Sequence, residues 1–456
     1  MTQAPSSTRP DAAPPQAHLW PDSAAVDADG RLRLAGLDVA ALAGEYGTPL
    51  YVFDEATLRA QCRAFRHALA ARWPASAVAY AGKAYLSPAF CTLLQEEGLE
   101  LDAASAGEIG VARAAGYPPA RIHLHGNFKP DAELAVALDA GVGRIVVDSL
   151  DELARVEALA RVGASGGRPR PVAIWLRLCP DVATDTHTYV QTGHAASKFG
   201  FDAASGAALS AAQQAIASPW LDLAGLHAHA GSQLFDLTPV ARVVAFLVEF
   251  AALVRERFGA SVRELSPGGG LAVAYAPGES VPSIESYAET VTQALAAAVA
   301  RHHLASPRLV VEPGRAIVAR AGIALYTAGP RKAVPDGPTL LAVDGGMGDN
   351  PRPALYGARY HAALVERMTA PPDTRVRVVG RYCESGDVLV DEVALPPAAP
   401  GGVLAIPVSG AYHLPLASNY NLVPRPAVVF VREGCVRLVR RRETVDDLLR
   451  LEMEVR

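Results

Sequence analysis

No stretch of about 18 consecutive apolar residues occurs in the 456-residue chain, the length a helix needs to cross a bilayer. The best candidate, Leu237–Val254, is interrupted by Arg242 and Glu249 and reads as a buried amphipathic helix. Cysteine is scarce: Cys62, Cys91, Cys179, Cys383 and Cys435 are odd in number, scattered and without a CxxC pair. That argues against a disulfide framework or zinc cage and favours a reducing, cytoplasmic compartment. There is no basic excess either. Lys plus Arg number 42 against 47 for Asp plus Glu, a formal net charge of −5, so neither nucleic acid nor an anionic membrane is the expected partner. The first residues lack the apolar core of a signal peptide and are rich in Pro, Ser and Ala, which predicts a mobile tail over residues 1–20. GxGxxG and GxxxxGK[ST] are both missing, which weakens dinucleotide and P-loop readings.

What is present has two rhythms. From residue 54 to 318, short apolar runs alternate with Ala-rich segments of helical period. Strands are expected at 77–81, 99–102, 122–125, 145–147, 172–178, 223–229, 262–265 and 308–311. Continuously apolar strands separated by helices mean a parallel sheet, and eight such units suit a (β/α)8 TIM barrel, with a doubly wound sheet as the competitor. After residue 318 the strands at 339–343, 375–379, 403–407, 427–432 and 435–438 are separated by Pro, Gly and Asp turns. They predict an antiparallel β domain over 319–456, to which residues 21–53, with the strand-like run 49–53, contribute. The fold class is thus α/β, a barrel plus a C-terminal β domain. Thr444 is expected to cap a closing helix.

Chemistry in a barrel sits at the C-terminal strand ends. Reading each strand to its end collects Lys83, His125-Gly126-Asn127, His227-Ala228-His229 with Ser232, Gly268-Gly269-Gly270, and Glu312-Pro313-Gly314-Arg315 on one rim. Singly, each has an ordinary explanation: a snorkelling lysine, a tight glycine turn, a local ion pair. Together they suggest a site. Lys83 could be a Schiff-base lysine, kept neutral and nucleophilic by an apolar strand end. The triple glycine could cradle a phosphate with bare N–H groups. Arg315 could bind phosphate or carboxylate, and Glu312 could pair with a protonated ring nitrogen. His227 and His229 raise a metal site, but at most one of them is expected to face the site, so no metal is assigned.

These motifs resemble those of the fold-type III pyridoxal-phosphate decarboxylases. Tyr80-Ala81-Gly82-Lys83, His125-Gly126-Asn127-Phe128-Lys129, Gly225–Gln233, the triple glycine and Glu312–Arg315 carry the resemblance. Downstream, Arg352-Pro353-Ala354-Leu355-Tyr356, Cys383-Glu384-Ser385-Gly386-Asp387, Gly410-Ala411-Tyr412 and Ser418-Asn419-Tyr420-Asn421 are similar to the meso-diaminopimelate decarboxylase branch, in order from about residue 49 onward. The stretch 187–198 resembles a substrate-proximal loop, while Ser266-Pro267 stands where the family more often has an acidic and an aliphatic residue.

The resemblance implies pyridoxal 5'-phosphate at the barrel mouth and a homodimer with shared active sites. It also implies that Lys83 carries the cofactor, His229 stacks on its ring and Glu312 pairs the ring nitrogen. Ser232, Gly268–Gly270, Pro313, Gly314, Arg315 and Tyr412 would hold the cofactor further, chiefly its phosphate. Cys383 would be the proton donor, contributed by the partner subunit, and Arg315, Arg352, Tyr356, Glu384 and Tyr412 would contact substrate. The implied reaction is decarboxylation of meso-2,6-diaminopimelate to L-lysine and CO2. Diaminopimelate has a carboxylate at its far end that a planar guanidinium such as Arg352 suits, and Glu384 could receive the distal ammonium. The alternatives are decarboxylation of ornithine, arginine, carboxynorspermidine or a carrier-linked glutamyl group on the same fold. A catalytically silent homologue would have lost Lys83 or Cys383, and this chain keeps both.

Overall fold

The computed structural model of the chain describes residues 11–163, 170–180 and 198–453, so most of the substrate-loop candidate at 187–198 lies outside the described residues. Two compact units emerge: residues 61–272 with 281–316, and residues 1–60 with 273–280 and 317–456.

The first unit is a closed parallel barrel. Its strands run Ser76–Ala81, Glu100–Ala103, Ile122–Leu124, Arg144–Val147, Val172–Cys179, Leu221–His227, Glu264–Ser266 and Arg308–Val311. Each pairs with the next in parallel, and Arg308–Val311 returns to Ser76–Ala81. All eight expected strands are present, with ends shifted by one to two residues. Ala79, Val146, Trp175, Ala224 and Val310 fill the barrel and are at most 2% exposed. The floor below them is ionic. Glu264 takes two hydrogen bonds from Arg144, at 2.6 Å each, and one from the Trp175 indole at 2.8 Å, while Arg308 bridges to Glu100 and Glu264. These charges occupy the first residues of their strands, so they seal one end and leave the other for chemistry.

In the second unit the sheet is mixed, not antiparallel as expected. Thr339–Val343 pairs with Thr374–Val379 in parallel, and Ala427–Arg432 pairs with Leu50–Asp54 in parallel. The other pairings, including those of the eleven-residue strand Gly322–Lys332 with Leu50–Asp54 and Val403–Ile406, are antiparallel. Alternating hydrophobicity reports which face of a strand is buried and not its direction, so the sequence pattern could not tell the two apart. All five residues of Leu50–Asp54 are buried, as a central strand requires. A small sheet of Ala24–Val26, Leu32–Leu34 and Leu37–Asp38 precedes it. Order begins before residue 20: Ala12 exchanges two backbone hydrogen bonds with Val26, and Leu19 and Trp20 are buried, an apolar pair too costly to leave in a tail. Thr444 caps the helix Val445–Leu449 in a reciprocal capping box with Asp447.

Candidate active site

Within the barrel unit, the strand ends gather one buried carboxylate among imidazoles. Glu312 follows the Arg308–Val311 strand and is 7% exposed. His227 Nε2 donates to its Oε2 at 3.0 Å, the Ser266 hydroxyl donates to its Oε1 at 2.7 Å, and His125 Nε2 lies 3.6 Å from Oε1. Burial alone would raise its pKa. The His227 and His125 rings and the hydrogen bonds from His227 and Ser266 outweigh that and hold it well below the carboxylate range. The neighbouring Asp102, its Oδ1 3.8 Å from His125 Nε2, goes the other way: burial and the Glu312 charge push it well above. Two neighbouring carboxyls are thereby pushed in opposite directions. Burial likewise pushes His125 and His229 well below their usual range, with Lys83 adding to the effect on His229, so both rings are neutral.

Both His227 and His229 belong to this cluster, which corrects the expectation that only one would face it. Residues two apart on a strand share a face, and the Leu221–His227 strand ends before His229. His125, His227 and Glu312 offer atoms within 4.8 Å of one another, a spacing a metal could use. The Glu312 oxygens are instead engaged by donors: a protonated His227 Nε2 and a hydroxyl, where an ion would need lone pairs. Ser266, His125, His227 and Asp102 had no assigned role in the sequence reading. Ser266 stood out only as a departure from the family pattern, and its hydroxyl proves to be a partner of the central carboxylate.

The glycines serve packing more than expected. A Cβ on Gly268, whose φ is +73°, would fall 2.3 Å from His229 Nδ1, and one on Gly269 would fall 2.2 Å from the Glu312 carbonyl oxygen. The Gly268 N–H donates to Ser266 Oγ and the Gly269 N–H to His229 Nδ1, so these two groups orient the site's own side chains. Arg315 is 7% exposed, and its Nη2 donates to Ser232 Oγ at 3.1 Å. The Pro313 carbonyl accepts from Ala81 N, which packs the Pro313-Gly314 turn on the segment that carries Lys83. Lys83 itself sits in the turn Gly82–Ala84 past the strand end and is exposed, not desolvated as expected. Its position on the open rim explains the difference, and its charge acts on Asp102, Glu108 and His229.

In the second unit, Arg352 opens the short helix Arg352–Tyr356 and is 6% exposed. Its guanidinium lies 4.7 Å from the Tyr275 ring centroid and donates through Nη1 to the Tyr360 hydroxyl. Tyr356 is half-buried, as is Tyr412, which takes a φ of +62°. Cys383 and Glu384 are exposed on a loop gripped by Asp387, whose carboxylate accepts from Met347 N and Tyr382 N at 2.6 and 2.8 Å. Asn421 Oδ1 accepts from Cys383 N at 3.1 Å.

Residues 55–319 match the family model described as "Pyridoxal-dependent decarboxylase, pyridoxal binding domain". The diaminopimelate decarboxylase of Actinosynnema pretiosum is 45% identical over 95% of both chains, and that of Bacillus subtilis is 40% identical over 93% of this chain and 95% of its own. The chain belongs to the diaminopimelate decarboxylase family. Among solved structures, the diaminopimelate decarboxylase of M. jannaschii superposes with a TM-score of 0.88 at 31% identity, covering 95% of this chain and 98% of that one. Family membership makes this a pyridoxal-phosphate enzyme, and the barrel residues fit that cofactor. An ionised buried carboxylate suits a protonated pyridine nitrogen, a buried Arg–Ser pair suits a phosphate, and an exposed lysine amine suits an aldehyde.

Proposed function

We propose that the chain decarboxylates meso-2,6-diaminopimelate to L-lysine and CO2, the closing step of lysine biosynthesis. The observation that carries this reading is 40–45% identity, over nearly the whole chain, to proteins of that activity. Residues 54–318 form the cofactor-binding barrel, and residues 21–53 and 319–456 form the β domain. The enzyme is a cytoplasmic homodimer with shared active sites; no helix among the described residues is long and apolar enough to cross a membrane.

Pyridoxal phosphate supplies an electron sink for the pair left when CO2 departs. The protein does the rest. Lys83 would hold the cofactor's aldehyde through its amine. Arg315 and Ser232 would neutralise and orient the phosphate, helped by the Pro313-Gly314 turn and Tyr412, while Gly268–Gly270 would contribute by letting the backbone pass close to His229 and Glu312. The His229 ring would stack on the pyridine. Glu312, held anionic by its donors, accepts the ring N–H and keeps that proton in place. Cys383 of the partner subunit then delivers its Sγ proton to the carbon that lost CO2. Arg352 binds the distal carboxylate, Glu384 the distal ammonium, and Tyr356, Tyr412 and Arg315 complete the substrate contacts.

Purified enzyme should release CO2 from meso-diaminopimelate and form L-lysine. Release from ornithine or arginine alone would replace this substrate by the alternative. Lys83→Ala should lose the borohydride-sensitive visible absorbance; if peptide mapping after reduction finds cofactor on another lysine, Lys83 is not the anchor.

A further inference from the structure

Arg352 is a buried cation, and among the described residues it forms no ion pair. A guanidinium removed from water without a carboxylate is costly, which marks a place prepared for an anion brought by a ligand. What holds it meanwhile is a train of side chains in the same unit. Tyr360 Oη accepts from Arg352 and lies 2.7 Å from His413 Nε2; His413 Nδ1 lies 3.2 Å from Tyr51 Oη; Tyr51 Oη lies 3.1 Å from Asp349 Oδ2. Tyr326 donates to the same Asp349 oxygen at 2.5 Å. His413, Tyr51 and Tyr326 are all 0% exposed, and Asp349 is 2% exposed.

The donor inventory fixes the direction of this train. Arg352 can only donate, and an ionised Asp349 can only accept. Tyr360 therefore gives its hydroxyl proton to His413 Nε2, His413 gives its Nδ1 proton to Tyr51, and Tyr51 gives its own to Asp349. One neutral histidine tautomer satisfies every link. With that tautomer the Tyr360 oxygen lone pair turns to the guanidinium, and Arg352 keeps its plane over Tyr275.

We propose that His413 is a positioning residue for substrate selection: through Tyr360 it sets the orientation in which Arg352 meets the distal carboxylate. The inference rests on the reading that Arg352 binds that carboxylate, which L-lysine, the product, still carries. His413 occupies a position no motif singled out, beside Tyr412, and its partners Tyr360 and Tyr51 lie 53 and 362 positions away in the chain.

His413→Phe in the holoenzyme keeps a ring and removes both hydrogen bonds. It should raise KM for meso-diaminopimelate about tenfold, the size of one lost hydrogen bond to a charged group, and change kcat less than about threefold. L-lysine affinity by calorimetry should fall in parallel, while pyridoxal-phosphate affinity by absorbance titration stays within about twofold. His413→Gln, whose amide can meet Tyr360, should recover much of the loss. Tyr360→Phe, one atom smaller, should give the same split should the histidine variant fail to fold. Unchanged KM and lysine affinity, or equal losses in kcat, lysine affinity and cofactor affinity, would overturn the proposal. Arg352→Ala separates the two levels. If it leaves KM and lysine affinity untouched, the assignment of Arg352 fails and takes this inference with it; if it weakens both while His413→Phe and Tyr360→Phe do not, only the role of His413 fails.

Discussion

At the scale of single residues, two neighbouring carboxyls of the barrel mouth are pushed in opposite directions. Glu312 stays anionic because His227 and Ser266 donate to it, while Asp102 is pushed up by burial and by Glu312. Glu312→Gln keeps the shape but can no longer hold a proton on a ring nitrogen by charge. The variant should retain bound cofactor, seen by absorbance, and lose about 100-fold or more in kcat. A near-normal kcat would remove Glu312 from the mechanism. The sequence revealed Glu312 and Arg315 because they end a strand together. It placed His227 on the same rim, but it did not reveal Ser266 or Asp102 as their environment, since those lie at strand ends that no motif singled out. The same holds for Lys83: its motif was legible, its exposure was not, because burial depends on where the strand stops and the turn begins.

At the scale of elements, the barrel strands were legible and their companions in the second unit were less so. Eight continuously apolar runs with helices between them leave few alternatives, and the right register follows from burial on both faces. Gly322–Lys332 and Val388–Leu395 escaped notice: one carries Gly and Pro, and the other breaks its alternation at an irregular register against Thr374–Val379. The first residues of the barrel strands make a separate prediction. Glu264, held at about 2 against burial by Arg144, Trp175 and Arg308, has a folded-state pKa below its unfolded value near 4.3. Its contribution is therefore complete above pH about 4.3 and declines as pH falls toward about 2. Glu264→Gln should cost about 2 kcal/mol in denaturant unfolding at neutral pH, because it leaves the half-buried Arg144 without its charge partner. The gap between variant and wild type should narrow as pH falls from about 4 toward about 2. A gap that stays constant across that range would mean packing, not charge, is what Glu264 provides.

At the scale of the whole molecule, exposure of Cys383 is the feature that asks for a second subunit. A proton donor serving a carbanion works poorly in open water, and Cys383 with Glu384 stands on a loop that the chain takes care to shape. In the proposed homodimer each barrel would borrow the partner's Cys383, and isologous symmetry would make the loan mutual. Lys83→Ala and Cys383→Ala should each be inactive or nearly so as separate dimers. Mixed one to one and allowed to exchange subunits, half of the dimers become hybrids, and each hybrid holds one site with both defects and one with neither. Activity should therefore return to about a quarter of wild type. If native mass spectrometry shows hybrids and no activity returns, Lys83 and Cys383 serve the same site from one chain, and the shared-site arrangement is wrong.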